Sequence, residues 1–332
     1  AMRNNNTRMF EKIGPDTGFD SINDFQIAEE VTIKGTSDRR PDLVVYVNGI
    51  ALAVIELKRS TVSAHEGIRQ NIRNQQDGYI PRFFTTIQLL FAGNDTEGLH
   101  YGVIKTSEKF WLRWKEPCGD PCEKSQFTIE EYPNELDRSV LQFFEPVRFL
   151  EFIHDFIIFD GGIKKAARPN QYFAVKASQS RVRNKQNGII WHSQGSGKSL
   201  TMVWLAQWIR ENVNDARVVI ITDRDELDKQ IENGFKDVGE KIHRAKSGEQ
   251  LIKMLNTADP WLICTLIHKF GNKSEGESIA VGGKKAVKSL ELYLEELAKY
   301  LPVGFSAKGN IYVFIDECHR TQGGVLHEAM KH

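Results

Sequence analysis

The chain has 332 residues, 40% hydrophobic and 27% charged, the make-up of a globular protein with room for two cores. Its 44 basic and 44 acidic side chains cancel, so total charge neither demands nor excludes a polyanionic partner, because a local basic track can hide in a neutral sum. No apolar run approaches the length of a membrane span, the first residues lack a signal-peptide layout, and Ala1-Met2 reads as an engineered or internal start.

Residues 20–115 are built from short apolar runs separated by turn signals. The clearest is LVVYV, then Asn48-Gly49, then IALAVIEL, and an Asn-Gly step between apolar runs predicts a β-hairpin. Asp42 stands at one end of this hairpin, and Glu56 and Lys58 at the other. Alternation along a strand puts Glu56 and Lys58 on one face. Two carboxylates there can hold a Mg2+ that activates water, while the lysine stabilises developing charge. The spacing is that of the PD-(D/E)xK nucleases. A two-residue turn in a regular hairpin would set Asp42 opposite Ile55, on the wrong face. A three-residue loop or a one-residue bulge would set it opposite Glu56, so an irregularity is expected. An ordinary amphipathic hairpin with charged ends fits the bare motif as well.

A helix is expected over 64–79, carrying polar groups able to support such a site. Gln70 lies a dozen residues after Lys58, whereas Gln75 and Tyr79 form a Q-x3-Y pattern of the kind recombination-type nucleases carry. The spacing favours Gln70 and the pattern favours Gln75 with Tyr79. Upstream, Glu29 or Glu30 could add a ligand or be plain strand-surface charge. Residues 116–135 are rich in Pro, Cys and charge and read as a linker. Cys118 and Cys122 lack a second ligand pair that would complete a zinc site, and Cys264 and Cys318 read as buried reduced thiols of a cytoplasmic protein. Residues 139–160 read as one helix, with Leu141, Phe144, Val147, Leu150 and Ile153 at three-residue steps.

From 186 to 320, strand-like runs alternate with helical ones: GIIWH, SLTMVWLAQWIREN, RVVIIT, WLICT and IYVFID. That alternation predicts a parallel sheet with helices on both faces. Between the first two runs stands His192-Ser193-Gln194-Gly195-Ser196-Gly197-Lys198-Ser199, a P-loop in the strand-to-helix setting it requires. Its glycines let backbone N–H groups turn towards phosphate, Lys198 would reach the terminal phosphates of ATP, and Ser199 would ligate Mg2+. The strict pattern has glycine where this chain has His192. At the end of IYVFI, Asp316 would hold Mg2+ through water and Glu317 would orient the attacking water. Residues 271–289 read as a surface loop.

The ending Asp316-Glu317-Cys318-His319 resembles superfamily 2 helicases and translocases, whose histidine, here His319, couples nucleotide state to nucleic acid. Gln171 in RPNQYFAV resembles their adenine-reading glutamine. Thr222, Arg224 and Thr265 resemble the first-lobe residues that contact the DNA backbone. Over residues 22–324 the stretches INDFQ, RRPDLVVYVNGIALAVIELK, RPNQYFAV, IIWHSQGSGKSLTM, ITDRDELDKQ and IDECHRTQGG together resemble the restriction (R) subunit of type I restriction–modification enzymes.

The resemblance implies an α/β chain: a PD-(D/E)xK endonuclease domain over 1–138, then the first RecA-like lobe of a translocase over 139–332. It implies Mg2+ and ATP as cofactors, with Asp42 and Glu56 holding the nuclease metal and Ser199 and Asp316 the nucleotide's. Double-stranded DNA and the methyltransferase and specificity subunits are the implied partners, with no membrane, and cleavage falls far from the recognition site. With no second lobe before His332, the fragment is expected to bind nucleotide weakly and not to translocate. Competing readings are a stand-alone helicase with a degenerate N-terminal module, an assembly platform, and a type III restriction subunit, which the nuclease-first order disfavours.

Overall fold

The computed structural model describes residues 23–117, 134–222, 231–232, 234–236, 239–266 and 305–316. They fall into two compact units divided between Phe173 and Ala174.

In the first unit, β1 (Phe25–Glu29), β2 (Leu43–Val47) and β3 (Ile50–Leu57) are followed by helix α1 (Ala64–Asn74), then β4 (Leu89–Asn94), β5 (Gly98–Gly102) and β6 (Leu112–Arg113). The six strands form one sheet in chain order. Every neighbouring pair is antiparallel except β3 and β4, which α1 connects as a parallel crossover. At the tip of the β2–β3 hairpin, Asn48 and Gly49 have φ of 52° and 76°, the left-handed pair that a two-residue turn of matching twist requires. The ladder runs Val47↔Ile50 and Tyr46↔Ala51, then resumes at Val45↔Ala53 and continues to Leu43↔Ile55. Leu52 therefore has no partner, and this one-residue bulge is the irregularity the spacing called for.

Both faces of the sheet are covered. Val44, Val54, Leu90 and Ala92 pack under Ile68 of α1. On the other face the rings of Phe91, Tyr101 and Trp114 meet Phe143 and Phe152, which come from α2 (Glu135–Phe143) and α3 (Pro146–Asp155). The single helix expected over 139–160 is thus two. Pro146 has no N–H to continue a helix but suits a first turn, and the Glu145 side chain accepts from the N–H groups of Val147 and Arg148. The chain then turns into a hairpin, β7 (Ile157–Asp160) and β8 (Ile163–Ala166), before helix α4 (Pro169–Arg183).

The second unit holds α5 (Lys198–Asn212), β9 (Ala216–Thr222), β10 (His243–Ala245), α6 (Gly248–Leu255), β11 (Leu262–Leu266) and β12 (Asn310–Ile315). The strands make a parallel sheet in the order β10-β11-β9-β12, with α5 packed on β9 and α6 on β10. Three runs read as strands from the sequence, RVVIIT, WLICT and IYVFID, are β9, β11 and β12. The fourth, GIIWH, lies outside the sheet, with Ile189 and Trp191 71% and 83% exposed. An apolar, β-branched run is a strand only where a neighbour completes its ladder. The buried Arg217 of β9 donates to the carbonyls of Met254, Leu255, Pro260 and Lys308, so one guanidinium closes the end of α6 and ties it to the approach to β12. Among the described residues no helix is long and apolar enough to cross a membrane.

Candidate functional site

The bulge decides which side chains meet in the first unit. One step beyond Leu43↔Ile55, the register brings Asp42 level with Glu56, on the face that α1 covers. Asp42 Oδ2 accepts from the N–H of Leu57 at 2.6 Å, which fixes the carboxylate at the end of β3. Lys58 Nζ lies 3.8 Å from Asp42 Oδ2 and 4.0 Å from Glu56 Oε2, and donates to the carbonyl of Leu57 at 3.1 Å. The Glu56 side chain is wholly buried, whereas Asp42 stays 38% exposed, so the group opens to solvent on the Asp42 side.

Helix α1 approaches Glu56 closely because residue 67 is glycine. A Cβ there would lie 3.1 Å from both the Glu56 carbonyl oxygen and Ala92 Cβ. That proximity lets Gln70 Nε2 donate to Glu56 Oε2 at 2.6 Å and Asn74 Nδ2 to Glu56 Oε1 at 3.4 Å. Burial raises the Glu56 carboxyl most, and the negative charge of Asp42 and a hydrogen bond with it raise it further. Lys58 and Gln70 pull the other way, and the net result is a carboxyl pushed up to about 8. A buried acid crowded by a second carboxylate favours either a proton or a cation between them. The oxygens of Asp42 and Glu56, with no His or Cys in the group, are the hard donors that Mg2+ takes.

Of the two glutamines weighed from the sequence, Gln70 touches the carboxylates and Gln75 does not. Gln75 Nε2 donates to the carbonyl of Asn71 at 3.0 Å and its Oε1 accepts from the N–H of Lys105 at 2.8 Å. The predicted helix stops at Asn74, so Tyr79 lies beyond it, its ring 4.1 Å beneath the guanidinium of Arg39. Glu30 pairs with Arg40, and Glu29 is exposed on β1. Asn74 escaped the sequence reading. The signal available was its place one helical turn after Gln70, on the same face. Its Oδ1 is buried and has no hydrogen-bond partner among the described residues.

In the second unit, Gly195 and Gly197 have φ of 77° and 85°, and Gly197 caps α5, whose first two residues are Lys198 and Ser199. The N–H groups of Leu200 and Thr201 donate back to the Gly197 carbonyl, and Ser196 Oγ donates to the Ser193 carbonyl at 2.7 Å. His192 and Gln194 lie on the approach to this turn, which has the left-handed glycines and helix start that suit an anion. Thr222 ends β9, Thr265 lies on β11, and Asp316 directly follows β12, its N–H bonded to the carbonyl of Ile221 at 3.0 Å. All three are buried at the carboxyl edge of the parallel sheet, where open α/β folds bind ligands. The hydroxyls of Thr222 and Thr265 have no hydrogen-bond partner among the described residues. Gln171, in the first unit, is buried, and its Oε1 accepts from the N–H of Arg168 at 2.8 Å, at the start of α4. Cys264 is buried on β11. Arg224, Glu317, His319, Cys118, Cys122, Cys318 and the loop 271–289 lie outside the described residues.

Residues 3–109 match the protein-family model described as type I restriction enzyme R protein N terminus, and residues 170–332 match that described as SWI2/SNF2 ATPase. A putative type I restriction enzyme MjaIXP endonuclease subunit of Methanocaldococcus jannaschii is 27% identical over 344 residues, covering 94% of this chain and 30% of the relative. The type I restriction enzyme SauCOLORF180P endonuclease subunit of Staphylococcus aureus is 28% identical over 319 residues, covering 93% and 30%. The HindI endonuclease subunit of Haemophilus influenzae is 26% identical, covering 89% and 27%. The chain therefore spans less than a third of the length of these relatives. By these matches the chain is similar over most of its length to type I restriction enzyme endonuclease subunits, a region matching the R-protein N terminus being followed by one matching the SWI2/SNF2 ATPase.

Proposed function

We propose that Asp42, Glu56 and Lys58 form the catalytic centre of a PD-(D/E)xK DNA endonuclease, in the front part of a type I restriction subunit that also carries an ATP-dependent translocase. The observation that carries this reading is the convergence of the three side chains through the hairpin bulge, with Gln70 held against Glu56. Mg2+ held by Asp42 and Glu56 would supply an acidified water and neutralise charge on the phosphodiester. Asp42 is aimed by the Leu57 N–H. Gln70 and Asn74 each hold one oxygen of Glu56, so its carboxylate has one orientation and gives up its proton only as the cation arrives. Lys58, about equidistant from both carboxylates, is placed to stabilise the charge that develops on a phosphate oxygen.

On the nucleotide side, Gln194, Gly195, Ser196, Gly197 and Lys198 would hold the phosphates of ATP. Ser199 and Asp316 would hold its Mg2+, Glu317 the attacking water and Gln171 the adenine. Thr222, Arg224, Thr265 and His319 would link that site to double-stranded DNA. In the complete enzyme, with its methyltransferase and specificity partners in the cytoplasm, ATP hydrolysis would draw duplex DNA and cleavage would follow away from the recognition sequence.

The test is nicking of supercoiled plasmid by the 332-residue chain with Mg2+, comparing the unaltered chain with Asp42→Ala and Lys58→Ala. Both substitutions are expected to lower the rate at least about a hundredfold, the size typical of losing a charge-stabilising group in a transition state. Metal-dependent nicking that survives both would sink the assignment.

A further inference from the structure

The side chain of Glu56 runs along α1 in a definite direction. Its backbone lies against Gly67, and its carboxylate reaches Gln70 and then Asn74, at the C-terminal end of that helix. The chain around that end is distinctive in charge. The loop Ile33–Arg39, which leads into Asp42, packs directly on it: Thr36 N–H donates to the Tyr79 carbonyl at 2.9 Å, and Gly35 sits too close to that carbonyl to admit a Cβ. Within this collar Lys34 is neutralised by Asp38 and Arg40 by Glu30. Arg39, Arg82 and Lys105 have no carboxylate partner among the described residues.

Arg39 is held by its side chain and Lys105 by its backbone, while Arg82 is simply exposed. Arg39 stacks on the Tyr79 ring and its Nη1 donates to the Asp38 carbonyl at 3.0 Å, so its guanidinium is fixed without a carboxylate neutralising its charge. Arg82 is exposed in the short 3-10 turn Pro81–Thr85 that directly follows. Lys105 is exposed with φ of 63°, an uncommon conformation for a lysine, and Gln75 at the end of α1 holds its N–H. Arg73, in the last turn of α1, complements the helix dipole and is left out of the count. Asp77 is the only acid in the segment 75–83.

We propose that Arg39, Arg82 and Lys105 form the seat on which the phosphate backbone of duplex DNA lies as it enters the Asp42–Glu56–Lys58 centre. Cations without carboxylate partners near an acidic centre oppose the repulsion that two carboxylates would exert on a phosphodiester, and phosphate contacts of this kind set register without reading sequence. This seat rests on the nuclease reading above for its purpose, though not for its binding chemistry.

The experiment is fluorescence anisotropy of a labelled duplex titrated with the 332-residue chain bearing Asp42→Ala, so that no cleavage intervenes, over a series of salt concentrations. Arg39→Ala, Arg82→Ala and Lys105→Ala are added singly, and unchanged thermal midpoints verify that each variant is folded. Each loss of a phosphate contact is expected to flatten the slope of log Kd against log salt by about 0.9. Unchanged slopes in all three overturn the proposal. So does competition at matched ionic strength in which ATP, but not unlabelled duplex, releases the label in an Arg39-dependent way, for then the seat takes a nucleotide. Plasmid nicking separates the two ideas. Flattened slopes in a chain whose Asp42-intact form does not nick keep the seat and sink the nuclease, whereas Asp42-dependent nicking with unchanged slopes does the reverse.

Discussion

Glu56 owes its chemistry to what surrounds it, and a pH experiment isolates that. Its carboxyl stands near 8 in the folded chain against an ordinary value of 4.5, so the fold favours the protonated form. The stabilisation is fully present below about 4.5 and is lost as pH rises through about 8, up to a few kcal/mol. In EDTA, the thermal midpoint of the unaltered chain should therefore fall relative to that of Glu56→Gln between pH 5 and pH 8.5, and added Mg2+ should restore it. Parallel curves for the two proteins would mean that Glu56 does not titrate as proposed. Asp42, Glu56 and Lys58 were legible in the sequence because alternation on a strand is a strict rule. Gly67 and Asn74 were not, because a helix position acquires its role only from the strand it lands on. The Gln75-x3-Tyr79 pattern pointed away from the carboxylates because the helix ends before it.

At the scale of elements, the site depends on how near α1 lies to β3. Gly67→Val would place a branched side chain where even a Cβ meets the Glu56 carbonyl oxygen and Ala92 at 3.1 Å. Overpacking of that kind costs about 1–3 kcal/mol, more than the roughly 0.4 kcal/mol by which valine improves on glycine as a helix former. The helix must retreat, and the Gln70–Glu56 hydrogen bond lengthens with it. Calorimetric titration with Mn2+ should show weaker binding in this variant, alongside a lower thermal midpoint. Retained affinity together with an unmoved midpoint would show that close packing does not position Gln70. The β2–β3 hairpin was readable down to its irregularity, because the Asn-Gly turn and the positions of the charged ends allow few registers. The break between α2 and α3 was also visible in Pro146, but the three-residue steps around it were read as one continuous face.

Across the whole molecule, two compact units imply two unfolding events. Arg217 offers a handle on one of them. Arg217→Met removes the guanidinium's hydrogen bonds to the carbonyls of Met254, Leu255, Pro260 and Lys308, at a cost on the order of 3 kcal/mol. Differential scanning calorimetry should show one transition moved by Arg217→Met and the other by Gly67→Val. A common transition moved by both would show that the units unfold as one. The parallel sheet was foreseeable from apolar runs alternating with helical patterns. The short edge strand β10, His-Arg-Ala, has no apolar signature and exists only because β11 offers it an edge. GIIWH has that signature and lies outside the ladder.

The bulge at Leu52 also gives the hairpin slack. Between the turn and Glu56, β3 carries one residue more than β2 can pair. Removing Leu52 takes up that slack and leaves a regular ladder in which Asp42 still faces Glu56. Adding a residue after Leu52 creates a second surplus that the ladder must expel or pass on as a slip. Tolerance to length change should therefore run one way, with Mn2+ binding kept on deletion of Leu52 and lost on insertion of one alanine. Equal loss in both would mean that the bulge fixes more than register.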